Sequence, residues 1–129
     1  MNETNQAFSL NRLSQIAVNV RDLERATAFY RDTLGMRFLF DAPGMAFFDC
    51  GGVRLMLGVA EREELNHLAS ILYYHVDDIR TAHETLSHRG VAFDAEPHCI
   101  HKDEKHELWM AFFRDSERNL LALSSTVAV

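Results

Sequence analysis

Nearly the same phrase occurs twice in this chain, and this repetition constrains the fold more than any other feature. The phrase MAFFDCGGVRLML spans residues 45–57, and MAFFRDSERNLLAL spans residues 110–123. The two halves also align upstream of these phrases. The corresponding pairs are Val20 and Val76, Asp22 and Asp78, Leu23 and Ile79, Ala26 and Ala82, Gly35 and Gly90, and Pro43 and Pro97. Self-similarity at a fixed spacing is typical of a repeated structural unit, so we expect one unit to occur twice.

Each copy has the pattern of a strand, a helix and three further strands. In the first copy, SQIAVNV alternates with period two, and Asp22 precedes a helical apolar spacing that Gly35 ends. MRFLF predicts the next strand, and AFFDC and VRLML predict a hairpin around Gly51-Gly52. The second copy has the corresponding segments SILYYHV, a helix capped by Asp78, VAFDAEP, ELWMAFF and LLALSS. The sequence therefore predicts a single α+β domain over residues 1–129, with βαβββ modules at residues 13–58 and 70–125 and an acidic connector at residues 59–69.

Composition limits the classes of function. The chain has 129 residues, 47% of them hydrophobic and 25% charged, which is typical of one globular domain. Its formal net charge of -6 argues against nucleic acid as a partner, because phosphate binding needs a basic face. No apolar run is long enough to cross a membrane, and the polar N-terminus does not resemble a signal peptide. Cys50 and Cys99 match no paired spacing, so we expect free thiols in a reducing cytoplasm.

One helix can cover only one face of a four-stranded sheet, so the other face of each sheet is predicted either to need a partner or to line a cavity. We call this second face the uncovered face. Strand alternation assigns to it Gln15, Ala17, Asn19, Arg54, Met56, Ile71, Tyr73, His75, Leu108, Met110, Phe112 and Ala122. An apolar surface with a few polar groups is typical of a small-molecule site. The alternative is a filled core in which methionine and Phe112 simply pack.

Arg54 is the most informative member of this set. An arginine that points into an apolar cavity needs an anionic partner, and a substrate carboxylate or phosphate would supply one. Alternatively, Arg54 lies at the rim and pairs with a surface acid such as Glu61. The residues alone leave both interpretations open.

The segment PHCIHKDEKHELW contains a cluster of histidines and carboxylates. Its members are His98, His101, Asp103, Glu104, His106 and Glu107. Such a cluster could bind a metal or supply a general base, and His106 shares the strand phase of Leu108 and Met110. The alternative is a solvated loop with ordinary surface histidines, because no tight ligand spacing appears.

The opening IAVNVRDLERATAFYRDTLGM resembles that of the vicinal oxygen chelate superfamily, which includes glyoxalase I, the extradiol dioxygenases and the bleomycin resistance proteins. The specific matches are Asp22-Leu23, Phe29-Tyr30 and Leu34-Gly35. FFRDSERNLLAL resembles the closing phrase of that superfamily, but Ser116 and Arg118 replace the usual proline and glycine, so we expect a differently shaped turn. The resemblance implies paired βαβββ modules that form a half-open barrel. It does not specify a reaction, because one scaffold supports many chemistries.

The resemblance also identifies the positions at which metal-using members place their ligands. These positions correspond to Gln15, Met56, Ile71 and Ala122. Only the glutamine could bind a hard divalent cation, because a thioether is a poor ligand for such an ion and Ile71 and Ala122 have no ligating atom. We therefore expect no metal at this site and no other cofactor, with a divalent metal elsewhere as the alternative.

The leading hypothesis is a cytoplasmic protein that binds a small organic ligand in a cavity between the modules, and the resemblance implies a homodimer. The predicted ligand-binding residues are Gln15, Arg54, Met56, Tyr73, His106, Met110 and Phe112. The alternative is a lyase, isomerase or dioxygenase-type enzyme that is metal-independent or uses an atypical metal bound by the His98–His106 segment. Its catalytic candidates are His106, Tyr73 and Arg54. Product formation would distinguish an enzyme from a protein that only sequesters the compound.

Overall fold

The computed structural model describes residue 8, residues 11–60 and residues 70–129. Most of the predicted acidic connector, including Glu61, and most of the polar N-terminus lie outside the described residues. No helix in the described part of the chain is long and apolar enough to cross a membrane.

Two βαβββ modules follow one another along the chain, which confirms the predicted α+β fold. The elements of module 1 are β1 (Gln15–Asn19), α1 (Leu23–Ala28) with a π-helical turn (Phe29–Thr33), β2 (Arg37–Ala42), β3 (Met45–Cys50) and β4 (Val53–Gly58). The elements of module 2 are β5 (Leu72–His75), α2 (Ile79–His88), β6 (His98–Lys102), β7 (His106–Arg114) and β8 (Leu120–Ala128). The predicted N-caps are correct, since the Asp22 and Asp78 carboxylates accept backbone N–H groups at the two helix starts.

Each module forms one mixed four-stranded sheet, and the strand orders are β1-β4-β3-β2 and β5-β8-β7-β6. The first strand of each sheet pairs in parallel with the last, and the other pairs are antiparallel. Across the described residues the sheets stay separate, and neither closes into a barrel. The register confirms the internal alignment, since Phe47 lies opposite Met56 in the first sheet and Phe112 lies opposite Ala122 in the second.

The helix-covered faces of both sheets contribute to one hydrophobic core. Its fully buried large side chains include Tyr30, Phe48, Leu57, Phe113 and Leu121. Apolar burial of this kind contributes about 25 cal/mol per Å² and is the main force that holds the modules together. The uncovered faces do not contribute to this core in the same way, and they include large exposed side chains such as Phe40 and Tyr73.

Module 2 departs from the internal repeat in its second strand. VAFDAEP was predicted as a strand and turn, and the strand is wrong, because residues 91–97 form a connection in which only Phe93 makes a bridge, to Phe113. The second strand of module 2 is instead β6, His98–Lys102. It lies within the segment PHCIHKDEKHELW, for which a solvated loop was the alternative prediction. The proposed equivalence of Pro43 and Pro97 is also wrong, since Pro43 follows β2 whereas Pro97 precedes β6.

A buried carboxylate, Asp115, joins the turn between β7 and β8 to module 1. Its Oδ2 accepts the Tyr30 hydroxyl at 2.8 Å and the Asn119 side-chain N–H at 2.9 Å, and its Oδ1 accepts the backbone N–H groups of Glu117 and Asn119, each at 2.8 Å. The Asn119 amide also donates to the Asn19 carbonyl at 3.1 Å. The carboxylate therefore orders its own turn and fastens module 2 to the π-helical turn of module 1.

Glu117 makes a second link between the modules, and its side chain is only 1% exposed. Its Oε1 accepts the backbone N–H groups of Arg21 and Asp22, and its Oε2 accepts Arg25 Nε at 2.7 Å. Burial alone would raise the pKa of this carboxyl, but the hydrogen bonds from Arg25, Asp22 and Arg21 outweigh it and lower the pKa to about 2. Glu117 is therefore ionised at neutral pH and stabilises the entry into α1.

Arg118 occupies the position at which the closing phrase of the resembled superfamily usually has glycine. Its φ of 71° lies in the left-handed region that favours glycine. We therefore expect Arg118→Gly to raise the free energy of unfolding by about 0.5–1 kcal/mol, because it removes the strain of a left-handed non-glycine residue. Urea denaturation of the variant and the native protein measures the difference. Gly90 has φ of 92° and a matched Gly90→Arg change should destabilise. If Arg118→Gly is less stable than the native protein, the backbone at residue 118 is not strained.

Candidate functional site

The uncovered face of module 1 is organised as rows of residues that lie side by side across the four strands. One row is polar and consists of Gln15, Arg54, Asp49 and Arg37. The next row is apolar and consists of Ala17, Met56, Phe47 and Phe40. The two rows lie two residues apart along β1, β3 and β4, which is about 7 Å, and three residues apart along β2, where the pairing is irregular. We call them the polar row and the apolar row.

Arg54 makes two contacts on the uncovered face, where strand alternation places it. Its Nε donates to Gln15 Oε1 at 3.1 Å, and its guanidinium carbon lies 5.2 Å from the centre of the Phe47 ring. Gln15 Nε2 in turn lies 3.8 Å from Met56 Sδ. Arg54 and Gln15 are both exposed, so neutral side chains orient this cation at the solvent-facing rim of the face, and the proposed partner Glu61 lies outside the described residues.

Two phenylalanines form an aromatic surface beside Arg54. The rings of Phe40 and Phe47 stack with centres 4.5 Å apart and planes inclined by 25°. Phe47 is buried, whereas Phe40 is 47% exposed and lies on the edge strand. The uncovered face therefore combines a fixed cation with an accessible aromatic ring, which suits a ligand with a charged end and an apolar end.

The uncovered face of module 2 has a different composition. Tyr73 and Phe112 lie on either side of Ala122 and meet edge to face, with ring centres 6.1 Å apart. Tyr73 is 50% exposed, and Met110 lies on the same face next to Ser124. The structure thus brings two of the predicted ligand-binding side chains, Tyr73 and Phe112, into direct contact.

His106 lies on the predicted face but at the far end of β7, opposite Ala128. It lies six positions from Phe112, which is about 20 Å along an extended strand. His98 and His101 also share this face, since they lie opposite Met110 and Leu108. Tyr73 and His106 are therefore far apart along the second sheet, and the third catalytic candidate, Arg54, lies on the first sheet.

The four positions that the family resemblance assigns to metal ligands do not form a fitting donor set. Ala122 and Ile71 present no ligating atom, and Met56 offers only a thioether, which suits soft metals. The remaining metal-ligating atom, the Gln15 amide oxygen, already accepts a hydrogen bond from Arg54 Nε. Residues 11–60 and 70–129 contain no group of three or more His, Cys, Asp or Glu side chains that could hold a metal ion.

An apolar cavity of about 280 Å³ lies on the other side of the second sheet, between α2 and the end of the π-helical turn. Its lining residues are Leu34, Met36, Tyr74, Val76, Ala82, Thr85, Leu86, Phe113 and Leu123. The Tyr74 hydroxyl is buried and has no hydrogen-bond partner among the described residues. Burial raises the pKa of this phenol, so it remains neutral. The lining residues are all uncharged, and the cavity is separate from the uncovered faces.

The strand patterns did not identify four members of the two rows, which are Arg37, Asp49, Phe40 and Phe47. In AFFDC, Phe47 and Phe48 are adjacent, so alternation requires one of the two rings to leave the core. That signal could have located Phe47. In a regular strand, Phe40 would point to the same side of the sheet as the core residue Phe38. The irregular pairing at Leu39 places Phe40 on the uncovered face instead.

The profile of the glyoxalase/bleomycin resistance protein/dioxygenase superfamily matches residues 12–123. The uncharacterized protein YraH of Bacillus subtilis (strain 168) is 29% identical over 129 residues, covering 87% of this chain and 96% of YraH. A superfamily member from Sphaerobacter thermophilus superposes with a TM-score of 0.74 at 24% identity, covering 90% of this chain and 98% of that one. Lactoylglutathione lyase from Agrobacterium tumefaciens superposes with a TM-score of 0.70 at 19% identity, covering 90% and 94% of the two chains. The two solved structures show a shared fold alone.

Proposed function

Because the chain belongs to the glyoxalase/bleomycin resistance protein/dioxygenase superfamily, we propose that it binds a small organic molecule on its uncovered faces, without a divalent metal. The observation that carries this proposal is the apolar, partly exposed surface of module 1, on which the Arg54 guanidinium is held over Phe47. A few oriented polar groups on an apolar wall are the usual composition of a small-molecule site. The non-ligating side chains at Met56, Ile71 and Ala122 support binding without the metal.

We propose further that two copies of the chain associate and enclose the ligand. Exposed aromatic and aliphatic side chains mark both uncovered faces, including Phe40 at 47% and Tyr73 at 50%. A ligand bound to one open sheet would keep much of its apolar surface in water, whereas binding sites bury most of their ligand. Light scattering after gel filtration should therefore give twice the chain mass of 14.8 kDa, and a monomer at micromolar concentration would contradict the enclosed site.

Methyl NMR tests the location of binding. Met56 and Met110 report the two uncovered faces, and Met36, which lines the helix-side cavity, is the matched control. We expect millimolar additions from a panel of small aromatic acids, amides and ketones to shift the 13C-methyl signals of Met56 or Met110 and to leave Met36 unchanged. If the whole panel shifts only Met36 or shifts nothing, binding on the uncovered faces is wrong.

Metal dependence is tested on protein purified without chelator or affinity tag. We expect no stoichiometric metal, and no rise in melting temperature when nickel, zinc, manganese or iron is added back. The enzyme alternative uses the His98–His106 segment, and it predicts product formation that His106→Ala abolishes while the fold survives. Bound metal that His101→Ala removes would replace the metal-free proposal with this alternative.

A further inference from the structure

We infer that the ligand of module 1 is a small organic carboxylate with a flat apolar group, and that Arg54 binds its anionic end. This inference rests on the proposed function and adds the chemical class of the ligand. Its basis is the order of the two rows, because a fixed cation on the polar row lies directly beside an aromatic surface on the apolar row.

The orientation of Arg54 is the first observation. Asp49 lies directly opposite Arg54 on the neighbouring strand and on the same face, which is a favourable position for an ion pair. No such pair forms within 4 Å between these two described residues. Asp49 Oδ1 instead accepts the Gly52 N–H of its own hairpin at 3.3 Å, and the guanidinium points toward Gln15 and Phe47. The fold thus leaves the arginine without an acidic partner among the described residues.

The remaining donors of the guanidinium are the second observation. Arginine has five N–H donors, and Gln15 uses only the one on Nε. The two Nη groups form the planar fork that matches a carboxylate, and they have no acceptor in the described part of the chain. Because Gln15 and Phe47 orient the exposed side chain, a bound carboxylate would order fewer additional torsions than it would at an arginine without these contacts.

The apolar row determines which chemical group the carboxylate should carry. Met56 and Phe47 lie one row away from Arg54, and the exposed ring of Phe40 extends the surface toward the sheet edge. The backbones of the two rows are about 7 Å apart along β3 and β4, so a short linker would let one molecule place a carboxylate at Arg54 and a ring over the apolar row. Phe47 is buried, so that ring would pack on the exposed Phe40 ring or on the Met56 thioether, and both contacts are favourable.

Titration with two matched probes tests this inference. We expect 3-phenylpropanoate to shift the Met56 methyl signal with an affinity at least tenfold higher than 3-phenylpropanamide, which has the same shape without the charge. Arg54→Gln should remove this tenfold preference. The control is Arg37→Gln, which removes the same charge from the same row but is separated from Arg54 by Asp49, so it should leave the preference within about twofold.

Each of four outcomes supports or overturns the inference. Loss of the preference in Arg54→Gln alone supports it. Equal losses in both variants show a diffuse charge effect and overturn it. Equal affinity of acid and amide in the native protein also overturns it while leaving the proposed function intact. If no probe shifts Met56, both the ligand class and binding on this face are wrong.

Discussion

Replacing Asp115 with alanine is expected to lower the free energy of unfolding by about 3–5 kcal/mol, the largest effect of any single change considered for this protein. The carboxylate is 6% exposed and accepts four hydrogen bonds. Its removal leaves the Tyr30 hydroxyl buried without an acceptor and releases two backbone N–H groups of the turn. The penalty is large because those groups lose their partner without regaining water.

Chemical denaturation of Asp115→Ala and Tyr30→Phe measures this effect against a matched control. Tyr30→Phe removes one of the four hydrogen bonds while keeping the ring that packs on Phe48, so its cost should be only about 1–2 kcal/mol. The double variant should cost less than the sum of the two single changes, because they share one hydrogen bond. If Asp115→Ala costs no more than Tyr30→Phe, the carboxylate does not fasten the modules.

Replacing Glu117 with glutamine is expected to make the free energy of unfolding depend less on pH in acid. The folded pKa of about 2 lies below the ordinary value of 4.5, so the unfolded chain binds a proton first as the pH falls. The stabilisation from this shift is fully present above pH 4.5 and is lost progressively between pH 4.5 and pH 2. We therefore expect the free energy of unfolding of the native protein to fall by about 2–3 kcal/mol more than that of Glu117→Gln across that interval.

Urea denaturation at a series of pH values tests this prediction, and Asp32→Asn is the control. Asp32 also forms an ion pair, with its neighbour Arg31 at 2.9 Å, and its pKa is lowered mainly by the hydrogen bond from Arg31. That pair is exposed, so its removal should leave the free energy of unfolding nearly unchanged. An acid profile of Glu117→Gln that follows the native curve would contradict the role assigned to this carboxylate.

The architecture could be predicted from the sequence because the signals that define it are local. Asp22 and Asp78 cap helices by hydrogen bonds to residues two or three positions away, and Gly51-Gly52 forms a tight hairpin with φ of 61° and 94°. The repetition of these signals at one spacing then indicated two copies of one unit. Such features depend on a few neighbouring residues, so they appear directly in the sequence.

The uncovered faces were predicted where strand alternation is regular. Arg54, Met56 and Phe112 lie on the expected side because β4 and β7 pair without interruption. Phe40 could not be assigned in this way. Simple alternation puts Phe38 and Phe40 on the same face, but a shift of pairing between them places the two rings on opposite faces. An irregularity of pairing depends on the partner strand and leaves no local signal.

The contacts between the modules were also not predictable. Glu117 and Arg25 are 92 residues apart in the chain, and Tyr30 and Asp115 are 85 apart. RDSERN predicts a turn, but its composition does not indicate that two of its carboxylates reach the first helix. Such placement follows from how the modules pack, which is a property of the whole chain.

The irregularities on β2 and β6 also affect how well the two sheet edges could pair with a strand of another chain. Each of these strands lies at a sheet edge, and in each the pairing shifts at one apolar residue, Leu39 or Ile100. A bulge interrupts the regular row of N–H and C=O groups that a neighbouring edge would need for continuous pairing. Open-ended polymerisation of strands is thereby discouraged, although both bulge residues are exposed and apolar.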